Sequence, residues 1–241
     1  MTRTKELIDM LSEYGIDASD CQAKTMLTHL ELLLQKNSVM NLTRIDSIDE
    51  GLVTHIVDSL LPLPYLRGVF KNHRVSFVDV GTGGGFPGLP LACMTDWNAV
   101  LIDSVAKKVN AVKEFTQHLG LSERVQCIQI RAEDLARQQP EQFDLVVTRA
   151  VAQTNVLLEY ASPLLKDSGY LVVYKARPSE DEIEAGTKAC RLCGMSLVSR
   201  ETFELPKQQG HREFLYYKKT GKARVRLPRR NGLAKNEPLG L

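Results

Sequence analysis

From Val75 onward, short apolar runs rich in β-branched residues alternate with stretches of helical periodicity, a rhythm that few architectures accommodate. "VSFVDV" (75–80), "AVLIDS" (99–104), "RVQCIQI" (124–130), "FDLVVTRA" (143–150) and "YLVVYKA" (170–176) read as strands, the most apolar of them as buried parallel ones. Between them the periodicity predicts helices over 105–119 and 154–165, with another over about 180–193. Parallel neighbours cannot be joined by a tight turn, so these helices are crossovers, right-handed by the twist of the strands they connect. "SLVSRETFEL" and "REFLYYKK" then follow each other with no helix between them, which predicts an antiparallel pair. The expected fold is α/β, a doubly wound and mostly parallel sheet closed by a C-terminal antiparallel hairpin, unlike the six-parallel-strand dinucleotide fold.

Ahead of this body the pattern is helical to about residue 65. Leu27, Leu30 and Leu34 share one face, and Leu52, Val53, Ile56, Val57, Leu60 and Leu61 form one apolar stripe. His55, Asp58 and Ser59 fall opposite that stripe, where an amphipathic helix carries polar side chains toward water or a cleft without needing a function. The chain divides into a helical cap (1–66), an α/β body (67–218) and a C-terminal arm (219–241).

The net charge of +2 conceals the arm. From Lys218 on, eight Lys and Arg oppose the single acid Glu237, a balance of +7 that leaves −5 on residues 1–217. Gly, Pro and Asn punctuate the segment, so it is expected to be extended and to meet a polyanion such as nucleic acid, through Arg224, Arg226, Arg229 and Arg230. Lys175, ending the strand at 170–176, is a further candidate phosphate contact. Loss of the arm is expected to weaken RNA binding in a salt-dependent way while sparing small-molecule affinity. No apolar run reaches the length of a membrane span and the N-terminus mixes charges from the start, so a cytoplasmic location is expected, with no membrane partner. The five scattered cysteines argue for reduced thiols. Cys190 and Cys193 have the spacing of a redox or zinc pair but no second pair or histidine cluster, so they read as core thiols and no metal is expected.

In "VDVGTGGGFPGLPLA" (78–92) five glycines crowd positions 81–88, where a strand gives way to a helix. In an open parallel sheet that turn lies at the carboxyl edge, where such folds bind ligands. Without Cβ atoms, the backbone of Gly81, Gly83, Gly84 and Gly85 can approach a flat cofactor closely. Gly83-x-Gly85-x-x-Gly88 also satisfies the dinucleotide fingerprint, and Asp103 stands where a ribose-binding acid belongs, which leaves a nicotinamide-dependent oxidoreductase open. Asp103 equally suits capping of the 105–119 helix. Three features favour S-adenosylmethionine (SAM). Asp79, two residues before the first glycine, can aim a carboxylate at an amino acid's ammonium. "RAEDL" (131–135) after the third strand offers backbone amides at Ala132 and Glu133 and an acid beside an adenine. The closing hairpin is that of the SAM-dependent methyltransferase version of the Rossmann-like fold. No Gly-Lys-Ser/Thr follows the glycines, which excludes a P-loop. Arg149, after an apolar strand at the same sheet edge, can grip a cofactor carboxylate or an RNA phosphate.

"NLTRI" (41–45), "HIVDSLLPL" (55–63), the glycine segment, "LIDSVAKKVNAVKEF" (101–115), "RAEDL", "VVTRAVA" (146–152) and "LVVYKA" (171–176) together resemble the bacterial small-subunit rRNA guanine-N7 methyltransferases, also called the glucose-inhibited division protein B family. The resemblance covers nearly the whole chain. It implies SAM as cofactor, 16S rRNA or the 30S subunit as partner, and N7 of one guanine as target. It also implies that Gly81 and Phe86 line the cofactor site, that Ala132 and Glu133 hold the adenine end, and that Arg149 binds as well. Phe86 stands where the family is often aliphatic and Gly84 where it often has Ala or Pro, departures that bear on fit more than on chemistry.

No catalytic group stands out in the sequence, and guanine N7 explains why none is compulsory. It carries an in-plane lone pair and no proton, so a general base has nothing to remove. The methyl group is already activated on the cofactor's sulfonium, which leaves the protein the task of alignment, worth up to about 7–11 kcal/mol. A non-catalytic rRNA-binding assembly factor with the same fold stays open beside the oxidoreductase. A monomer is expected.

Overall fold

The five apolar runs form strands in the computed structural model of the chain, which describes residues 2–71 and 73–241. They are β1 (Ser76–Val80), β2 (Asn98–Asp103), β3 (Val125–Gln129), β4 (Phe143–Arg149) and β5 (Leu165–Lys175), followed by β6 (Met195–Glu204) and β7 (His211–Lys219). Among the described residues they make one sheet in the order β3-β2-β1-β4-β5-β7-β6. β1 to β5 are parallel, and β7 enters antiparallel between β5 and β6. Helices α1 (Arg3–Ser12), α2 (Asp20–Met40), α3 (Ile48–Gly51), a π-helical stretch (Leu52–Val57), α4 (Asp58–Leu60) and α5 (Leu63–Phe70) precede the sheet. The crossovers are α6 (Gly88–Met94), α7 (Ala106–His118), α8 (Ala132–Gln138) and α9 (Thr154–Ala161), and α10 (Glu180–Leu192) leads into β6.

Alternation along each strand sends side chains to two cores. Phe77, Leu101, Leu145 and Val172 join one, together with Leu30, Leu33, Ile56 and Leu60, so cap and sheet share a single apolar interior. Val78, Ile102, Val146 and Val173 join the other, beneath α8, α9 and α10. α2 opens on a capping box in which Ser19 and Gln22 each accept from the other's backbone N–H. It buries Ala23, Met26, Leu27, Leu30 and Leu33.

Two elements differ from expectation. The helix predicted to residue 165 stops at Ala161, because Pro163 has no N–H to continue it, and β5 is already under way at Leu165. The basic arm is not extended. Arg229 donates to both carboxylate oxygens of buried Glu159 (2.8 and 2.5 Å), Asn155 donates to the Leu239 carbonyl (2.9 Å), and Ala234 is buried in a short α11 (Leu233–Asn236). Leu227 and Leu239 pack against the second core, so the glycine and proline punctuation turns the segment back onto the body. Arg224, Arg226 and Arg230 are exposed, whereas Arg229 is spent on Glu159. Cys190 and Cys193 are buried free thiols that burial pushes up to about 11 and about 12. No helix among the described residues is long and apolar enough to cross a membrane.

Candidate active site

β1 delivers the chain to the carboxyl edge of the sheet, where the N–H groups of Gly81 and Thr82 both donate to the Ile102 carbonyl (2.9 Å each) and bend the backbone. Gly83 follows at φ +59°, and a Cβ there would meet no heavy atom closer than the Gly81 carbonyl at 3.9 Å. It opens on free space. The other glycines answer mainly to the protein's own packing. A Cβ on Gly84 would lie 2.6 Å from Leu33, and one on Gly85 would lie 2.7 Å from Leu89 and 3.0 Å from His29. At Gly88 it would reach Leu101 and the Asp79 carboxylate.

Asp79 and Gly85, expected at the cofactor, line none of the three cavities at this edge of the sheet and are bonded and packed within the protein. Asp79 shares the cap-facing side of β1 with Phe77, because side chains two apart point the same way. It is wholly buried, one oxygen accepting from the Gly88 N–H (2.9 Å) and the other without a partner among the described residues. Burial pushes its carboxyl up to about 7. Its evident work is to tie α6 to β1.

Three adjoining cavities form a trench along the carboxyl edge. The first, about 290 Å³, is lined by Gly81, Ile102, Asp103, Ile130, Ala132, Glu133, Tyr160 and Lys235 among others. The second, about 190 Å³, is bounded by Gly81, Gly83, Phe86, Lys108 and Arg149. The third, about 580 Å³, is lined by His55, Asp58, Arg149, Tyr174, Lys175 and Arg212. Gly81 and Lys108 belong to the first two, His55 and Arg149 to the last two, and Ala150 to all three. Ala150 has φ +57°, a left-handed turn that non-glycine residues seldom adopt, at the point where all three meet. Asp103 ties the glycine turn to the chain entering α7. One oxygen accepts from the Val105 N–H ahead of α7 (2.9 Å), the other from the Gly83 N–H (3.3 Å), and the carboxylate faces the first cavity.

Arg149 is held from three sides by the helical stretch whose polar face the periodicity turns toward water or a cleft. Asp58 N–H donates to the Val53 and His55 carbonyls, so the Thr54 carbonyl, its ordinary α-helical acceptor, is left free. Arg149 Nη1 donates to that carbonyl (2.8 Å) and to Asp58 (2.9 Å), and its Nη2 lies 3.1 Å from His55 Nδ1. A π-helical turn at a functional site thus acquires a specific use. Asp58 also accepts from Arg212 Nε (3.1 Å), and Tyr174 donates to the Ser59 carbonyl (2.9 Å). His55, Asp58 and Ser59 are all buried, because the sheet edge covers the face opposite the apolar stripe, and His55 and Asp58 line the third cavity, so that face meets a cleft and not open water. Lys175 is likewise committed, to Glu182 (2.5 Å) and the Ala152 carbonyl (2.8 Å).

Phe86 is sandwiched between two imidazoles, with centroids 4.3 Å from His29 and 4.6 Å from His55 and nearly parallel rings. Burial pushes His29 down to about 4 and His55, beside Arg149, down to about 3. In the unfolded chain both protonate near 6.5, so the stability they contribute is complete above that pH and is lost as pH falls toward about 4. Asp79 acts in the opposite sense between about pH 4 and 7, since only its folded form holds the proton there. Two histidines against one carboxyl leave the acid loss dominant. Melting temperatures of the ligand-free chain should fall from pH 6.5 toward pH 4, and His29→Phe should flatten that slope. A profile parallel to wild type would contradict the assignment.

A family model described as rRNA small subunit methyltransferase G matches residues 22–211. Proteins named ribosomal RNA small subunit methyltransferase G are similar along almost the full length. The one from Gloeobacter violaceus is 40% identical over 233 residues (95% of this chain, 90% of that one), and the one from Lactobacillus acidophilus is 35% identical over 238 (98% of each). Among solved structures, a SAM-dependent methyltransferase from Aquifex aeolicus superposes with a TM-score of 0.50 at 20% identity (66% of this chain, 89% of that one). The [4+2]-cyclase SpnF reaches 0.55 at 16% identity (68% and 81%). These two likenesses establish the fold, and the cyclase shows that the fold alone does not fix the reaction.

Proposed function

The chain belongs to the rRNA small subunit methyltransferase G family, and we propose on that premise that it transfers a methyl group from SAM to N7 of one guanine in 16S rRNA, in the cytoplasm. The observation that supports this reading best is the continuous trench, with a polar and apolar pocket at one end, bare Gly83 in the middle and a larger cleft beyond Arg149. The residues suit the cofactor. Ile102, Ile130 and Ala132 offer apolar contact to a flat ring, Asp103 a carboxylate to hydroxyls, and Gly83 an unobstructed main chain. When bound, SAM supplies a methyl group already activated on a sulfonium.

The chain's own residues orient and neutralise. Arg149 is immobilised by Thr54, Asp58 and His55 where the second and third cavities meet, so it defines the passage between cofactor and base. His55 is uncharged at neutral pH and adds no positive charge beside a sulfonium or a methylated, cationic guanine. An imidazole so weakly basic is a poor proton acceptor, which matches a target atom that carries no proton. Asp58 balances Arg149 and Arg212 at the cleft wall. The exposed Arg224, Arg226 and Arg230 remain proposed phosphate contacts. Family membership favours neither a nicotinamide oxidoreductase nor a non-catalytic factor.

The test is transfer from methyl-labelled SAM into naked 16S rRNA and into 30S subunits lacking the modification, followed by borohydride reduction and aniline cleavage, which cuts at N7-methylguanine. One cleavage site in either substrate is expected. Label on an exocyclic amine, or no incorporation into either substrate, would defeat the proposal.

A further inference from the structure

We infer that the C-terminal segment 229–240 is a wall of the cofactor site, with Lys235 contacting the adenosine moiety and Arg229, Asn231 and Gly232 positioning the helices that shape its rim. The inference rests on the reading of the trench as a SAM site. The family model ends at residue 211, so the segment lies outside what that model describes.

α8 carries Ala132 and Glu133, both lining the first cavity, and three of its seven residues are bonded to the tail. Glu133, buried to 5% exposure, accepts from the Gly232 N–H (2.9 Å). Asp134 accepts from Asn231 (2.8 Å), and Arg137 donates to the Asn231 side chain and the Arg229 carbonyl (2.7 Å each). On the other flank, Arg229 pairs with Glu159 of α9, the neighbour of Tyr160, which lines the same cavity. The tail thus cross-braces α8 to α9 around the pocket mouth. Ala234, 1% exposed, anchors the turn that presents Lys235 to the cavity. There Lys235 shares the lining with Asp103 and Glu133, and an ammonium has three donors for the ring nitrogens and ribose oxygens of an adenosine.

A basic tail that looks like an RNA-binding arm therefore acts on the small molecule as well. By linkage, the same coupling must run both ways, with bound cofactor holding the tail down.

Two measurements on the full chain test this. Calorimetric titration with SAM and with S-adenosylhomocysteine should give about tenfold weaker binding for Lys235→Ala, the effect of one lost charge-assisted contact. Limited trypsin digestion of the wild-type chain should cut after Arg229, Arg230 and Lys235 several-fold more slowly with saturating SAM than without ligand or with NAD. Equal affinities for variant and wild type, together with tail cleavage indifferent to SAM, would overturn the inference while leaving the site reading intact. Failure of the wild-type chain to bind SAM at all would overturn both.

Discussion

Replacing Asp58 by alanine should lower the stability of the ligand-free chain by about 3 to 5 kcal/mol, a fall in Tm of roughly 10 °C for a protein of this size. Asp58 is 2% exposed and divides its oxygens between Arg149 and Arg212. Its removal leaves two guanidiniums facing each other with no counter-charge. Both guanidinium side chains retain some access to water, 15% and 20%, which places the expected loss toward the lower end of that range. Asp58→Asn keeps the shape and an acceptor but not the charge, and should fall between wild type and alanine. Urea melts at pH 7.5 decide the matter, and a loss below about 1 kcal/mol for the alanine variant would show that the two arginines find water or other partners instead.

For Gly83→Val the expected loss is in binding more than in folding. The position has φ +59°, where a β-branched residue is strained by about 1–3 kcal/mol, an amount a chain of this size can carry. A Cβ here would meet no protein atom closer than 3.9 Å, so the added side chain is expected to occupy the free space of the trench. SAM affinity should fall by at least about 100-fold, some 2.7 kcal/mol, while the far-UV spectrum and cooperative melting persist. Gly83→Asn separates the causes, since asparagine tolerates left-handed backbone but still fills the space. If obstruction dominates, Asn should bind nearly as poorly as Val, and a Val variant with wild-type affinity would place the cofactor elsewhere.

What the sequence disclosed and what it withheld follow from locality. β1 to β5 and the helices between them are periodic within a dozen residues, so their existence and the turn after Val80 could be read directly. The insertion of β7 between β5 and β6 is a pairing of distant segments, with no local signature. Asp79 could have been placed by parity alone, because it alternates with Val78 and Val80 of the second core and shares the face of Phe77. His55 and Asp58 could not. A stripe on a helix identifies one buried side, and residues distant in sequence, Arg149, Tyr174 and Arg212 among them, make the opposite side buried as well. The arm misled for a related reason. Its positive charge is visible in the sequence, but the acid that captures Arg229 is Glu159, one of many in an otherwise acidic chain.

A crystal structure of the chain with S-adenosylhomocysteine tests most directly whether the trench holds the methyl donor. The adenine should lie between Ala132 and Tyr160 within reach of Lys235, and the amino-acid end should pass the bare face of Gly83 toward Arg149. Density in another cavity, or a trench closed by Val151 and Phe86 with the ligand excluded, would contradict it.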